Sequence, residues 1–147
     1  KIPNIKLLLA GTGPLEKQYK EQVKKLGITS NIKFLGYRND VPNLLMLSDV
    51  AVSSSRREGL PVNVMEAMAI GLPLVVTDVR GNRELVKEGK SGYVVGLNDV
   101  GMFADAIYKL NENHFIKNKF AIKSIELIQK YSLDNVLKEM NLIYKIQ

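Results

Sequence analysis

Short apolar runs alternate with amphipathic segments along this chain, and no other feature of the sequence restricts the available folds as strongly. The apolar runs have the length of buried strands, which predicts strands at residues 5–10, 32–36, 50–53, 74–77 and 92–95. The amphipathic segments predict helices at residues 15–26, 41–48, 102–111, 117–130 and 133–144. This order is typical of an α/β domain, a Rossmann-like, mostly parallel sheet flanked by helices.

Residues 58–73 predict a strand end, a tight turn and a further helix. Pro61 suits the first helical position, because the N–H group that proline lacks would have no helical partner there. The helix is predicted to end near Gly71. Glu58 would then lie just before the helix, and Glu66 one to two turns inside it.

The two glutamates allow two interpretations. Free N–H groups at a helix start attract anions, and two carboxylates beside them suit a ligand that carries hydroxyls and phosphates, such as a nucleotide sugar. On spacing alone the simpler interpretation is favoured: an acid near the helix start complements the helix dipole, and Glu66 is an ordinary solvated residue.

Composition bounds the class of protein. A chain of 147 residues suits one domain with its own core. The absence of cysteine excludes disulfides and thiolate metal sites and fits a reducing compartment. A net charge of +6 would allow a nucleic acid, an anionic membrane or a small anion as partner. The lysines are scattered over helical segments with few aromatic residues between them, so we expect a solvated surface and no nucleic-acid partner.

Other candidate sites are weaker. The pair Gly11 and Gly13 follows a predicted strand, but Glu16 occupies the place of the third glycine of a dinucleotide-binding fingerprint. His114 is the only histidine and no cysteine accompanies it, so neither a metal nor another cofactor is expected. Arg80 or Asn82, after the fourth predicted strand, is a candidate for contact with a donor sugar or an acceptor.

Six segments, taken in order, carry a resemblance to a known family: residues 7–14, 32–37, 48–50, 54–61, 66–78 and 92–95. Together they resemble the C-terminal, donor-binding domain of retaining glycosyltransferases with the GT-B fold, family 4 or "group 1". The likeness covers practically the whole chain and weakens after Asp99. Two glutamates eight residues apart are a weak signal alone, but within this order of segments they are highly specific.

The resemblance implies roles for named residues. Glu58 would contact the transferred sugar as the catalytic residue, and Glu66 would accept hydrogen bonds from the ribose. The backbone N–H groups near Gly59 and Leu60 would face the sugar and the diphosphate. The nucleotide side of the site would be formed by Gly11, Gly13, Tyr37 and Arg38.

Two departures from the family pattern indicate a piece of a larger enzyme. The family's domain begins with an earlier strand and helix whose arginine and lysine clamp the diphosphate, and no residue here matches that pair. Arg56 and Arg57 lie near the motif and are interpreted equally well as solvated turn residues or as phosphate contacts. The N-terminal acceptor domain is also missing, so the isolated chain is expected to be inactive.

The resemblance implies an intact enzyme that transfers a hexose or N-acetylhexosamine, with retention, to a glycan or lipid-linked acceptor in bacterial surface-polysaccharide synthesis. A UDP-sugar is favoured as donor and no metal is expected. The enzyme would be cytoplasmic, with peripheral association at the inner face of the membrane left open. A nucleotide-sugar epimerase or phosphorylase of the same architecture and a non-catalytic binding module remain alternatives.

Overall fold

A computed structural model of the chain describes residue 2 and residues 4–144. Along them the elements are β1 (Leu7–Ala10), α1 (Glu16–Lys25), β2 (Ile32–Gly36), α2 (Val41–Met46), β3 (Ala51–Ser53), α3 (Val62–Ile70), β4 (Leu74–Thr77), α4 (Arg80–Leu85), β5 (Gly92–Val95), α5 (Val100–Glu112), α6 (His114–Ile128) and α7 (Leu133–Ile143). All strand pairs between these elements are parallel, and helices alternate with strands, so the predicted α/β class is confirmed.

The described strands form two parallel sheets, whereas the sequence predicted one. In the first sheet β1 pairs with β2, and in the second β4 lies between β3 and β5. The chain divides into two compact units, one up to Leu44 and one from Leu45, so each sheet belongs to its own unit. Apolar runs predict where strands form, but not which strands pair, because pairing depends on contacts between distant segments.

The core of the second unit is built around β4, whose four residues are all buried. Leu74 and Val76 face one side of the sheet and pack with Met68 of α3. Val75 faces the other side and packs with Leu110 of α5. Because a central strand buried on both faces cannot shift without disturbing both clusters, the carboxyl end of β4 is firmly positioned.

Helix α3 begins one residue later than predicted. Pro61 precedes the helix, with φ of −75° and ψ of 97°, and its carbonyl accepts hydrogen bonds from the N–H groups of Val64 and Met65, at 3.1 Å each. At the other end the predicted stop is confirmed: Gly71 has φ of 80°, a left-handed conformation that favours glycine.

Helices α5 and α6 begin earlier than predicted because side chains cap them. The carboxylate of Asp99 accepts a hydrogen bond from the N–H of Met102 at 2.9 Å. The side chain of Asn113 accepts one from the N–H of Ile116 at 3.0 Å. Both are standard N-cap interactions. The non-helical segment predicted around His114 is therefore reduced to one residue, Asn113, between α5 and α6.

Helix α7 buries none of its residues. Its apolar side includes Val136, Leu137 and Met140, each more than one third exposed. Of the helices in the described part of the chain, none combines the length and the apolar character that crossing a membrane requires.

Candidate functional site

The candidate site lies where β3 and β4 end, in the second unit. The loop after β3 carries the predicted motif, and a buried hydrogen-bond chain ties this loop to the end of β4. The hydroxyl of Thr77 donates to the carbonyl of Ser55 at 2.5 Å, and the side-chain amide of Asn82 donates to the carbonyl of Thr77 at 2.9 Å. The loop is therefore anchored through α4 to the best-packed strand of the unit.

Gly81 fixes the same loop at a second point. Its N–H donates to the carbonyl of Glu58 at 3.2 Å. A Cβ atom at Gly81 would lie 2.5 Å from the carbonyl oxygen of Gly59 and 2.9 Å from that of Glu58. Only a residue without a side chain allows this backbone approach. Gly81 was not predicted as a site residue, although a glycine soon after a predicted strand was a usable signal.

A cavity of about 520 Å³ opens beside this contact. Its walls are formed by Arg56, Arg57, Glu58, Gly59, Val79 and Arg80. Glu58 is half-buried, and among the described residues no cation lies within ion-pair distance of its carboxylate. The structure thus brings together two of the residues predicted as site residues, Glu58 and Gly59.

The arginines of this region differ in their partners. Arg80 Nε lies 3.1 Å from Glu84 Oε1, and Arg83 Nη1 lies 2.7 Å from Asp78 Oδ1. Arg56 and Arg57 have no carboxylate within ion-pair distance in the described chain. The cavity therefore keeps uncompensated positive charge beside the carboxylate of Glu58.

The start of α3 adds hydrogen-bond donors to this region. Over the residues that the structure describes, no protein acceptor pairs with the N–H groups of Gly59, Leu60, Val62 or Asn63. Free amides before and within the first turn of a helix favour an anionic ligand, both by hydrogen bonding and through the helix dipole.

Two predicted residues of this unit lie outside the cavity wall. Leu60 is 52% exposed and Glu66, the fifth residue of α3, is also exposed. The position of Glu66 one to two turns inside the helix agrees with the prediction. The prediction that Asn82 contacts a sugar is wrong, because the side chain of Asn82 is completely buried.

A second cavity of about 430 Å³ adjoins the carboxyl ends of β3, β4 and β5. Its walls are largely apolar side chains of α5 and the preceding loop, together with Ser54, Arg56 and Thr77. Asn98, also in its wall, has φ of 66°, a conformation that asparagine tolerates better than most residues. Arg56 belongs to both cavities.

The remaining predicted residues lie in the first unit. The N–H of Gly11, where φ is 120°, donates to the carbonyl of Gly36 at 2.7 Å, which places the turn after β1 beside the loop after β2. Gly13 is exposed, and its carbonyl accepts from the N–H of Glu16 at 3.1 Å. Tyr37, in the loop after β2, is 82% exposed.

Arg38, next to Tyr37, is held by Asp40. Two hydrogen bonds, of 2.7 Å and 2.6 Å, join the guanidinium to the carboxylate. This pairing lowers the pKa of Asp40 and raises the pKa of Arg38, chiefly through the hydrogen bonds. The charge of Arg38 is therefore largely compensated within its own loop.

No group of three or more histidine, cysteine, aspartate or glutamate side chains that could hold a metal ion occurs among residues 2 and 4–144. His114 is the first residue of α6 and is exposed.

A model of the family described as "Glycosyl transferases group 1" matches residues 1–128. EpsD of Bacillus subtilis, whose name describes it as a glycosyltransferase, is 35% identical over 98% of this chain and 38% of its own length. The UDP-Gal:alpha-D-GlcNAc-diphosphoundecaprenol alpha-1,3-galactosyltransferase of Escherichia coli is 29% identical over 99% of this chain and 35% of its own length. The chain thus spans a little over a third of these relatives.

Solved structures show the same architecture. HepE of Anabaena, crystallised in complex with UDP, superposes with a TM-score of 0.92 over 99% of this chain and 42% of its own, at 23% sequence identity. At that identity the likeness concerns the fold, and it confirms the architecture that the sequence resemblance implied.

Proposed function

Because this chain belongs to the group 1 family of glycosyl transferases, we propose that it is the donor-binding part of an enzyme that transfers a sugar from a nucleoside diphosphate. One observation carries the proposal: the unpaired carboxylate of Glu58, the unpaired guanidinium groups of Arg56 and Arg57, and Gly59 line one cavity. Such a cavity can accept hydrogen bonds from sugar hydroxyls on one side and bind phosphates on the other.

The roles of the motif residues follow from this geometry and from the family resemblance. Glu58 orients the sugar through its carboxylate and acts as the catalytic residue, while the amides of Gly59 and Leu60 bind sugar and phosphate oxygens. Glu66, on the exposed side of α3, accepts hydrogen bonds from the ribose hydroxyls. Charge that develops on the departing diphosphate is stabilised by the dipole of α3.

The nucleotide side of the proposed site rests on the family resemblance. In the first unit, Gly11 and Gly13 approach the nucleotide through their backbone, and the loop of Tyr37 and Arg38 borders the base. The contact between Gly11 and Gly36 supports part of this assignment, because it joins the two loops within that unit.

The proposed reaction is a transfer with retention of configuration. The bond between the anomeric carbon and the diphosphate breaks, the oxygen of the acceptor hydroxyl bonds to that carbon on the same face, and the hydroxyl proton passes to the departing diphosphate. The name of the Escherichia coli relative gives a UDP-linked hexose as donor and a lipid-linked acceptor, which favours a UDP-sugar and an acceptor of that kind here. A further acceptor-binding domain completes the proposed enzyme, which is cytoplasmic. This chain by itself binds donor weakly without turnover.

Ligand-observed NMR with UDP-, GDP- and ADP-sugars tests the ribose role of Glu66. We expect Glu66→Ala to weaken binding of the preferred nucleotide about tenfold, because hydrogen bonds to a charged group are strong. Glu139→Ala, which removes an exposed carboxylate of α7, is the matched control and should bind like wild type. If wild type and Glu66→Ala respond alike to every compound, the ribose does not bind at Glu66.

A further inference from the structure

We propose that Val79 and Arg80 select an N-acetylhexosamine as the transferred sugar. This inference rests on the proposed function and names the class of sugar that the cavity beside Glu58 takes. Both residues line that cavity, and among the described residues of its wall Val79 is the only one with an aliphatic side chain. An acetamido group offers a methyl group and a carbonyl oxygen, and these two neighbouring residues can contact one each.

The segment of Val79 and Arg80 is fixed relative to Glu58. The N–H of Gly81, the next residue, donates to the carbonyl of Glu58 at 3.2 Å. The N–H of Val79 donates to the carbonyl of Thr77 at 2.9 Å, and its carbonyl accepts from the N–H of Arg83 at 3.0 Å. A sugar that Glu58 orients therefore meets a wall whose backbone is already in place, which reduces the entropy lost on binding.

Val79 supplies the apolar part of the proposed contact. It is only 7% exposed, so it presents a small apolar surface to the cavity, which suits a single methyl group better than a longer chain. A sugar hydroxyl placed against this surface would lose hydrogen bonds to water and gain none from the protein. An acetamido methyl group would lose no hydrogen bond there and would leave water. Val79 therefore favours the acetamido group over a hydroxyl.

Arg80 supplies the hydrogen-bond donors. Its Nε lies 3.1 Å from Glu84 Oε1, which compensates its charge, whereas its Nη1 and Nη2 groups have no acceptor among the described residues. The free N–H groups can donate to an amide carbonyl. A sugar carboxylate bound there would instead lie near the carboxylate of Glu84, and like charges repel. Arg80 thus favours a neutral acceptor, as the acetamido carbonyl is.

Isothermal titration of this chain with UDP-N-acetylglucosamine, UDP-N-acetylgalactosamine, UDP-glucose and UDP-galactose tests the inference. Wild type should bind one N-acetylated compound about fivefold or more tightly than the hexose of the same configuration at C4. Val79→Thr replaces one methyl group by a hydroxyl, and should lower that affinity about threefold to tenfold without changing the affinity for the matching hexose. Arg80→Ala should have the same effect through the lost hydrogen bond. Because Arg80 is exposed, this variant keeps the inference testable if Val79→Thr does not fold.

Val95→Thr and Arg83→Ala are the matched controls. Val95 is about as buried as Val79, at 6% exposed, Arg83 is paired with Asp78, and neither lines the cavity. If wild type binds UDP-sugars without preferring an N-acetylated one, the inference is overturned and the proposed function stands. The same follows if Val79→Thr and Arg80→Ala keep the preference as fully as the controls do. If no UDP-sugar binds to wild type, the proposed function itself fails, and the inference fails with it.

Discussion

Replacing Asn82 by aspartate is expected to lower the free energy of unfolding by about 3–5 kcal/mol at pH 8, the usual effect of an uncompensated buried charge. Asn82 is completely buried, and its amide donates to the carbonyl of Thr77 at 2.9 Å. The side-chain oxygen of Asn82, Oδ1, has no hydrogen-bond partner in the described structure. An introduced carboxylate would oppose the carbonyl of Thr77 and find no compensating cation, because Arg80 and Arg83 are engaged with other acids.

The effect of Asn82→Asp should depend on pH. Burial disfavours the charged form, so the pKa of the introduced carboxyl is raised in the folded state above its value of about 3.9 in the unfolded chain. The folded state then binds more protons than the unfolded state, and stability falls as pH rises between the two pKa values. Below that range the protonated carboxyl can donate to Thr77 as the amide does.

Urea unfolding at pH 5 and pH 8 measures this dependence, with Asn82→Ala as the uncharged control. The loss of unfolding free energy caused by Asn82→Asp, relative to wild type, should be smaller at pH 5 than at pH 8. The loss of unfolding free energy caused by Asn82→Ala should be the same at both pH values. It should be about 0.5–1.5 kcal/mol for one hydrogen bond, because the carbonyl of Thr77 still accepts from the N–H of Val79 at 2.9 Å. An aspartate variant as stable as wild type at pH 8 would show that this position is open to solvent or to a compensating group.

Replacing Gly81 by alanine is expected to damage the candidate site as well as stability. The added methyl group would meet two backbone oxygens, of Gly59 at 2.5 Å and of Glu58 at 2.9 Å, which cannot rotate away as a side chain could. The crowding costs about 1–3 kcal/mol and exceeds the gain of about 0.5–1 kcal/mol from replacing a helical glycine. Relief requires the backbone of Glu58 and Gly59 to move, so affinity for a UDP-sugar should fall in the protein that remains folded.

Gly92→Ala is the matched comparison for Gly81→Ala. A Cβ atom there would lie 2.5 Å from the carbonyl oxygen of Leu74, an equally close approach that involves no residue of the cavity. Unfolding by urea and titration with UDP-sugars should show a similar loss of stability for both variants and a loss of affinity for Gly81→Ala alone. Equal affinities would contradict the claim that Gly81 positions Glu58.

Local sequence patterns predicted the elements of this fold well, and the pairing of its strands poorly. Strands β2, β4 and β5 have the predicted bounds, because each is a short apolar run closed by turn residues. The division into two sheets was not predicted, since no local pattern encodes which strands pair. The starts of α5 and α6 were readable in principle, because Asp99 and Asn113 stand where N-cap residues belong.

The candidate site was predicted where its residues are adjacent in sequence. Glu58 and Gly59 share one turn, and the helix start that follows them was recognisable from Pro61. The contacts from Gly81 and Thr77 join segments about twenty residues apart, and only packing in three dimensions reveals them. The sequence also did not predict which arginines form ion pairs. Arg83 pairs with Asp78, whereas Arg57 has no carboxylate within ion-pair distance among the described residues, and both facts follow from the fold.

The most direct test of the central claim is whether the carboxylate of Glu58 binds the sugar of the donor. Titrations of wild type and Glu58→Gln with UDP-glucose, UDP-galactose, UDP-N-acetylglucosamine and UDP alone separate the sugar from the nucleotide. For the preferred sugar, Glu58→Gln should lose about fivefold or more in affinity, because a neutral amide replaces a charged acceptor, while affinity for UDP is unchanged. A variant that binds every UDP-sugar as wild type does would show that the carboxylate of Glu58 does not bind the sugar.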